Sequence, residues 1–446
     1  MKALERAMKK DVDTDQQRGC TSQSGDTEMP VVVIDIETNL KIQGVPPMLR
    51  GVEENKKCYD PLVVSIGPFH HLKELHITEE HKIAIARQYA ENGGQSYDLL
   101  YNKVKAIAGD ARNCFSLNSS AEVELVEEKF TKMMFLDGCF ILQFIRCFVN
   151  DLKDLKMKLY LAAFVKRDLF LLENQLPFLV LRELMSKNKE EEWKKMLSTF
   201  FNGVLVHPSD SPREIDFDQC AHLLDMIHTL LIDKVALSAP QHSKIDSDLF
   251  SCRSAKELKA AGIYFRPSQG HRFTDVQLRS MFKLIRFLEL PPIIVDDSTK
   301  SILLNMVAYE ACPDAPEDLW VSSYICFLDS LIDHAEDVKE LRSKGILRNF
   351  LGSDQQVADL FNQIADNLVA NPNAYAEVKN RLERHYKNKI KIWLAEWLHT
   401  HFTSPWTVLA FVGAIFALVL SVIQTYESVY ATETAPCPCA AANHTI

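Results

Sequence analysis

The chain has 446 residues, 47% of them hydrophobic, which is enough for one large domain or two. Its formal charge of −10 argues against a general nucleic-acid binder, whose affinity comes from cations facing phosphates. With 15 glycines, eleven scattered cysteines and no Cys-x-x-Cys pair, the composition disfavours glycine-rich phosphate loops, zinc sites and a disulfide framework, and the thiols read as buried and reduced.

Residues 1–29 are polar and carry too few apolar side chains to offset chain entropy, so they are expected to be disordered. Residues 30–400 read as mainly α, a large helical body with a small β element, with any division into two subdomains near 238–253. The run Val31 to Leu40 is ambiguous: its β-branched residues suggest a strand, while Val33, Ile36 and Leu40 sit at helical spacing. Tyr59 to Pro68 reads as a short strand closed by a Gly-Pro turn. Glu122 to Val149 is a long helix whose apolar stripe is interrupted by Asp137. Leu159 to Met185 is apolar nearly all round, as a helix in the middle of a core is, with a break at Pro177.

Phe217 to Leu237 is a further helix, and 207–214 and 238–253 are polar loops. Ile263 to Phe265 and Leu290 to Val295 read as strands; Asp275 to Leu288 fits either type. Thr299 to Ala311, Val321 to Leu341, Asp354 to Val369 and Ala374 to His399 return to helix. In the last of these Tyr375, Val378, Leu382, Tyr386, Ile390, Trp393 and Trp397 recur at steps of three and four. Its basic face, with Lys387, Lys389 and Lys391, either meets an anionic membrane surface or is a solvated face of a helix packed on the body.

From Trp406 to Ile423 there is no charge. Trp406 to Tyr426 is long enough to span ~30 Å of hydrocarbon at about 1.5 Å per residue, and Trp406, Tyr426 and Tyr430 stand as interfacial anchors. Residues 405–426 therefore read as a transmembrane helix, followed by a short polar tail, 427–446. Lys379, Arg381, Arg384, Lys387, Lys389 and Lys391 precede the span, while from Thr425 on there is no Lys or Arg. The positive-inside rule then places the body in the cytosol, in a single-pass, tail-anchored arrangement whose first partner is the lipid bilayer. Met1 to Val12 lacks the apolar core of a secretory signal peptide.

Four segments in order carry a resemblance. They are Val45-Pro-Pro-Met-Leu-Arg50 with Tyr59-Asp-Pro-Leu-Val-Val-Ser-Ile-Gly-Pro-Phe-His-His71; Asp168-Leu-Phe-Leu-Leu-Glu-Asn-Gln-Leu-Pro-Phe178; Ser254-Ala-Lys-Glu-Leu-Lys-Ala-Ala-Gly-Ile-Tyr-Phe265; and Leu290-Pro-Pro-Ile-Ile-Val-Asp-Asp297 with Asn305-Met-Val-Ala-Tyr-Glu310. Together they resemble the plant family built on the domain of unknown function 247 (DUF247, UPF0481-type), over roughly residues 31–426. The departures are modest: Phe69 replaces the commoner Tyr, and Thr78-Glu-Glu-His-Lys82 stands where the family has Met-Glu-x-x-Lys. The resemblance implies a C-terminal membrane helix and no established catalytic activity. Some members are linked to self-incompatibility recognition in grasses, which implies specificity signalling through an unidentified protein partner.

The motif residues to follow into the structure are Tyr59, Pro61, Ser65, Gly67, Pro68, His70, His71, Glu173, Asn174, Gln175, Pro177, Tyr309 and Glu310. Glu173-Asn174-Gln175 sits in an apolar stretch, where unpaired polar groups cost about 1–3 kcal/mol each. The trio is expected to bond a helix break beside Pro177; the competing reading makes Glu173 a catalytic carboxylate of a membrane-tethered hydrolase. His70, His71, His76 and His81 cluster, but adjacent residues of an extended segment point opposite ways, so capping a turn is expected rather than a shared metal. Val33 to Thr38, with Asp35 and Glu37, resembles the first motif of two-metal exonucleases. Only His228 and Asp233 imitate the late motif, no middle motif is present, and the acidic charge balance opposes a DNA-handling surface. Cys437-Pro-Cys439 and the sequon at Asn443 lie beyond the span. No metal site and no cofactor is assigned, and no nucleic acid is expected as partner.

Overall fold

The computed structural model describes residues 42–116, 125–155, 157–185, 189–202, 204–205, 216–232, 253–270, 272–281, 285–315, 319–386 and 405–431. They belong to one unit beginning at Asn39. Residues 1–29, the Asp35/Glu37 run, the loops 207–214 and 238–252, Lys387–Lys391 and residues 432–446 lie outside the described residues; residues 427–431, expected as tail, continue the last helix.

The architecture is mainly helical with two small sheets. Helices α1 (Glu79–Gly93) and α2 (Tyr97–Ala106) pack on the long α3 (Glu127–Val149). Glu127 and Glu128 occupy the first turn of α3, where carboxylates complement the helix dipole. From Met134 to Ile145 every side chain of α3 is buried. An apolar surface on all sides calls for partners on all sides, and α5 (Phe178–Leu184) and α6 (Glu190–Phe201) supply further ones. Gly138 permits the closest approach: a Cβ there would lie 2.4 Å from Leu184 Cδ1. Between these helices, α4 (Leu159–Asp168) leads into an irregular turn that ends at Pro177.

The second half begins with α7 (Leu223–Leu231). Strands β1 (Ile263–Pro267), β2 (Gln277–Met281) and β3 (Ile285–Leu290) form a sheet in the order β1-β3-β2, with β3 parallel to β1 and antiparallel to β2. Strand β4 (Ile293–Val295) pairs in parallel with β5 (Leu347–Asn349). Between them run α8 (Thr299–Glu310), buried at every residue but Lys300, α9 (Trp320–Asp329) and α10 (Ala335–Ser343). Helices α11 (Asp354–Ala365) and α12 (Ala376–Tyr386) follow. Buried apolar side chains from Ile42 to Leu382 form one continuous cluster.

Several expectations change, among them the helix expected from Phe217, which begins only at Leu223. Tyr59 to Pro68 is not a strand: it makes one isolated bridge, Val64 to Ile77, because the N–H groups of Leu62, Val63, Val64, Ile66 and Gly67 bond to side chains. Leu159 to Met185 is not one helix broken at Pro177; α4 ends at Asp168, nine residues earlier. Val321 to Leu341 divides into α9 and α10, and the long helix starts at Glu127 rather than Glu122. The undecided segment 275–288 supplies β2 and most of β3.

The last helix, α13 (Pro405–Ala431), contains a stretch, Leu409–Ser428, with mean hydropathy 2.1. It is long and apolar enough to cross a membrane, and none of it is buried within the protein. Tyr426 lies near its end and is exposed.

Candidate functional site

The segments 45–50, 59–71 and 168–178, far apart in sequence, meet around the loop 58–71 together with Asn305. Asp168, fully buried at the end of α4, accepts hydrogen bonds from the N–H groups of Leu62 (3.0 Å), Val63 (2.8 Å) and Val64 (3.2 Å) on Oδ2, and from Arg167 Nη1 (2.8 Å) on Oδ1. Asn174 accepts from Ile66 N–H (2.7 Å) and donates to Val64 O and Asp168 O. Gln175 donates to Leu169 O and Leu171 O and accepts from Leu224 N–H. These two amides replace the bonds a continuing helix would have made. Asn305 of α8 closes the cage: it accepts from Leu172 N–H and donates to Cys58 O.

Gly67 turns this loop. Its φ of +70° suits glycine, and a Cβ there would stand 2.7 Å from Gln175 O. Its N–H donates to Asp137 Oδ2 (2.9 Å), whose other oxygen meets Lys82 Nζ at 2.5 Å. The interruption that Asp137 makes in the apolar stripe of α3 thus has a partner on α1. Burial pushes the Asp137 carboxyl up, against the opposing pull of Lys82 and the Gly67 N–H.

Glu173 lies at the edge of this cage. Oε1 accepts from Val45 N–H (2.8 Å); Oε2 pairs with Arg50 and lies 3.3 Å from His70 Nε2. That histidine contact is at ion-pair distance but lacks hydrogen-bond alignment. Burial opposes ionisation of Glu173, yet His70, Arg50 and Val45 outweigh it and hold the carboxyl below its usual range. Arg50 also pairs with Asp60 (3.2 Å), as does Lys73 (3.0 Å). The two adjacent histidines do diverge: His70 is buried on Glu173, while His71 Nδ1 sits 2.6 Å from Pro68 O. His81 completes a capping box with Thr78. The Tyr59 hydroxyl is buried without a hydrogen-bond partner, and burial raises its pKa to about 12.

A second buried cluster forms between α7 and α8. Tyr309 Oη donates to Asp225 Oδ1 (2.7 Å). Glu310 accepts from Val321 N–H (2.7 Å), Ser322 N–H (2.9 Å) and Ser322 Oγ (2.7 Å), and meets His228 Nε2 at 3.0 Å. His222 caps α7 by accepting from Asp225 N–H, and both histidine rings lie edge-on to Tyr309. Tyr309 and Glu310 are motif residues of the sequence reading. His222, Asp225 and Ser322 escaped it: nothing local marks Tyr309 as a partner of Asp225 84 residues away, or Glu310 as a partner of Ser322 across the turn between α8 and α9.

Burial, with His228 adding to it against Asp225, pushes His222 down to about 4. The unfolded imidazole titrates near about 6.5, so the unfolded chain binds the extra proton first. Stability is therefore full above about pH 6.5 and falls as pH drops towards about 4, by ~3 kcal/mol at this one group. Denaturation midpoints measured across that window are expected to decline in the wild type and to decline less in His222→Asn, which keeps a capping acceptor without the proton.

A cleft of about 730 Å³ opens beside the loop, and Ser65, Gly67 and His71 line it; Glu173, His70 and the His228–Glu310 pair do not. Another grouping of metal-ligand residue types, Asp333, His334 and Asp337, is already engaged: the Asp337 oxygens accept from the N–H groups of Lys256, Asp333 and His334. Every motif carboxylate described above faces main-chain N–H groups, cations or hydroxyls. Such an arrangement fixes loops; Asp168, Glu173 and Glu310 do not line the cleft, and Asp137, which does, is paired with Lys82.

A family model described as a plant protein of unknown function matches residues 42–420. The chain is 27% identical over 406 residues to the UPF0481 protein At3g47200 of Arabidopsis thaliana, covering 83% of each chain. It is 22% identical to the putative UPF0481 protein At3g02645 of the same plant, covering 89% of this chain and 91% of that one. No solved structure matches at a significant level. With the match extending from the first described residue into the apolar helix, the chain belongs to the DUF247 family of plant proteins.

Proposed function

We propose that this protein is a membrane-anchored recognition or scaffolding module, acting through protein contacts rather than catalysis. Helix α13 anchors it as a single pass, and the basic residues that precede the span keep the helical body on the cytosolic side. Confinement to a surface raises the effective concentration of the body towards membrane partners. The observation that carries the non-catalytic reading is the engagement of Glu173, the most enzyme-like of the motif residues. It is held ionised by Arg50 and bonded to Val45 N–H, away from the cleft.

Glu173→Ala tests this. It removes the acceptor of the Val45 N–H and one of the two carboxylates on Arg50, and is expected to lower the unfolding free energy by about 2–4 kcal/mol, with Glu173→Gln losing less because one oxygen remains. An alanine variant as stable as the wild type that nonetheless lost its biological activity would favour the hydrolase reading instead. Topology is checked by glycosylation reporters fused to each end: modification of an N-terminal reporter would contradict the cytosolic body.

A further inference from the structure

We infer that the end of the β2–β3 pair at Met281 and Ile285, together with α12, rests on the anionic lipid headgroups of the bilayer that α13 crosses. The inference depends on the membrane-anchored reading above and adds a second point of contact to it. Strand alternation puts Tyr264, Arg266, Arg279, Met281, Ile285 and Phe287 on one face of the sheet. Met281 and Ile285 are partners at the last rung of the pair, and each is 40% exposed. The Arg266 guanidinium lies 3.5 Å from the centre of the Phe287 ring, with the Tyr264 ring beside it. Apolar side chains among arginines suit an interface, where the former reach the acyl boundary and the guanidiniums stay level with the phosphates.

Arg286, on the other face, meets α12: its Nη1 donates to Arg381 O (3.2 Å). The guanidiniums of Arg286, Arg381 and Arg384 therefore gather beside the exposed rung. Among the described residues only Arg381 of the three has a carboxylate partner, the exposed Glu377 at 3.5 Å. Burial pulls the Arg286 guanidinium down, and the like charges of Arg381 and Arg384 add to that. It stays charged nonetheless, so an anion entering the cluster relieves the repulsion. Over the three strands and α12, Arg266, Arg279, Arg286, Lys379, Arg381 and Arg384 stand against Glu289, Glu377 and Glu383, on a chain whose formal charge is −10. Arg279 and Glu289 pair at 3.0 Å. The short helix before β1, Ala255–Ala260, leaves the balance unchanged: Lys256 offsets Glu257, and Lys259 pairs with Glu340 (2.7 Å). Arg253, 3.4 Å from the centre of the Tyr386 ring, adds one more cation. Position singles out the bilayer as the anion. Helix α12 is the last described helix before the span, and only residues 387–404 separate them. A flexible chain of about 18 residues keeps its ends on the order of 25 Å apart.

The test places the full chain in nanodiscs of phosphatidylcholine, with or without phosphatidylserine. Photoreactive p-benzoylphenylalanine replaces Met281, Ile285 or, as a control, Met48, which is 79% exposed. Irradiation followed by mass spectrometry reads what each position touches. Lipid adducts from positions 281 and 285 in the phosphatidylserine discs are expected, at least about fivefold above those in phosphatidylcholine alone and above those from position 48. Arg381→Gln with Arg384→Gln leaves Lys387, Lys389 and Lys391 in place and is expected to cut the adducts at least about tenfold. The unfolding midpoint is expected to hold, because the bond from Arg286 goes to a main-chain oxygen. Adducts to protein in place of lipid, equal adducts in the two lipid mixtures, or an undiminished yield from the double variant would overturn the inference. Co-migration with the disc is read separately. A chain that stays with the disc and gives no lipid adducts at 281 or 285 overturns this contact and leaves the anchor standing, whereas a chain that leaves the disc overturns both.

Discussion

Asp168→Ala is expected to be among the most damaging single substitutions in the described body. Three consecutive N–H groups, of Leu62, Val63 and Val64, converge on one fully buried carboxylate, and Arg167 supplies its counter-charge from a side chain only 9% exposed. Removing the carboxylate strands a buried cation and the donors together. Each unsatisfied donor costs about 1–3 kcal/mol, and breaking a buried pair from one side about 3–5 kcal/mol. A loss of at least about 4 kcal/mol follows, a large share of the about 5–15 kcal/mol that holds a typical domain. Asp168→Asn keeps one accepting oxygen and is expected to lose about half as much. Chemical denaturation reads both values. Proteolysis within the loop 58–68 in the alanine variant would locate the damage, whereas a variant within 1 kcal/mol (roughly the loss of a single hydrogen bond) of wild type would show that the loop does not depend on this residue.

Glu310→Ala is the second large effect. Glu310 ties α8 to the start of α9 through Val321 and Ser322, and to α7 through His228. Burial works against its ionisation, but the bonds from His228 and Ser322 prevail and hold the carboxyl below its ordinary range. A depressed carboxylate stabilises the fold above its unfolded pKa and loses that contribution as pH falls through the folded value, so the Glu310 contribution is intact at neutral pH and disappears only in acid. The alanine variant is expected to lose about 3–5 kcal/mol at pH 7 and to show less acid sensitivity than the wild type. Glu310→Gln can accept from one of the two N–H groups, but its amide nitrogen faces the donor of the other, so a loss of about 2 kcal/mol is expected. Equal acid sensitivity in the wild type and the alanine variant would remove Glu310 from the account.

What the sequence disclosed divides along the distance of the partners. Helix α11 announces itself by periodicity and a cap, since Ser353 and Gln356 form a box readable within four residues. The apolar run of α13 needs no partner at all to be recognised. The motif residues stood out as polar groups in apolar surroundings, which signals a buried bond without naming its other end. Tyr59 to Pro68 has the composition of a strand, yet the acceptors of its N–H groups are Asp168, Asn174 and Asp137, 70 to 108 residues away. Leu159 to Met185 has the pattern of a buried helix, and it breaks early because Asn174, Gln175 and Asn305 satisfy the backbone groups that a helix would have used. Pairings such as His228 with Glu310, 82 residues apart, leave no trace in any window of one sequence.

The claim on which function rests is that residues 405–431 hold the helical body at a bilayer. Extraction of plant membranes with alkaline carbonate tests it directly, comparing the full chain with a chain lacking residues 405–431. The full chain is expected in the membrane pellet and the shortened chain, still folded, in the supernatant. A full chain released by carbonate, or a shortened chain that stays in the pellet, would contradict the account.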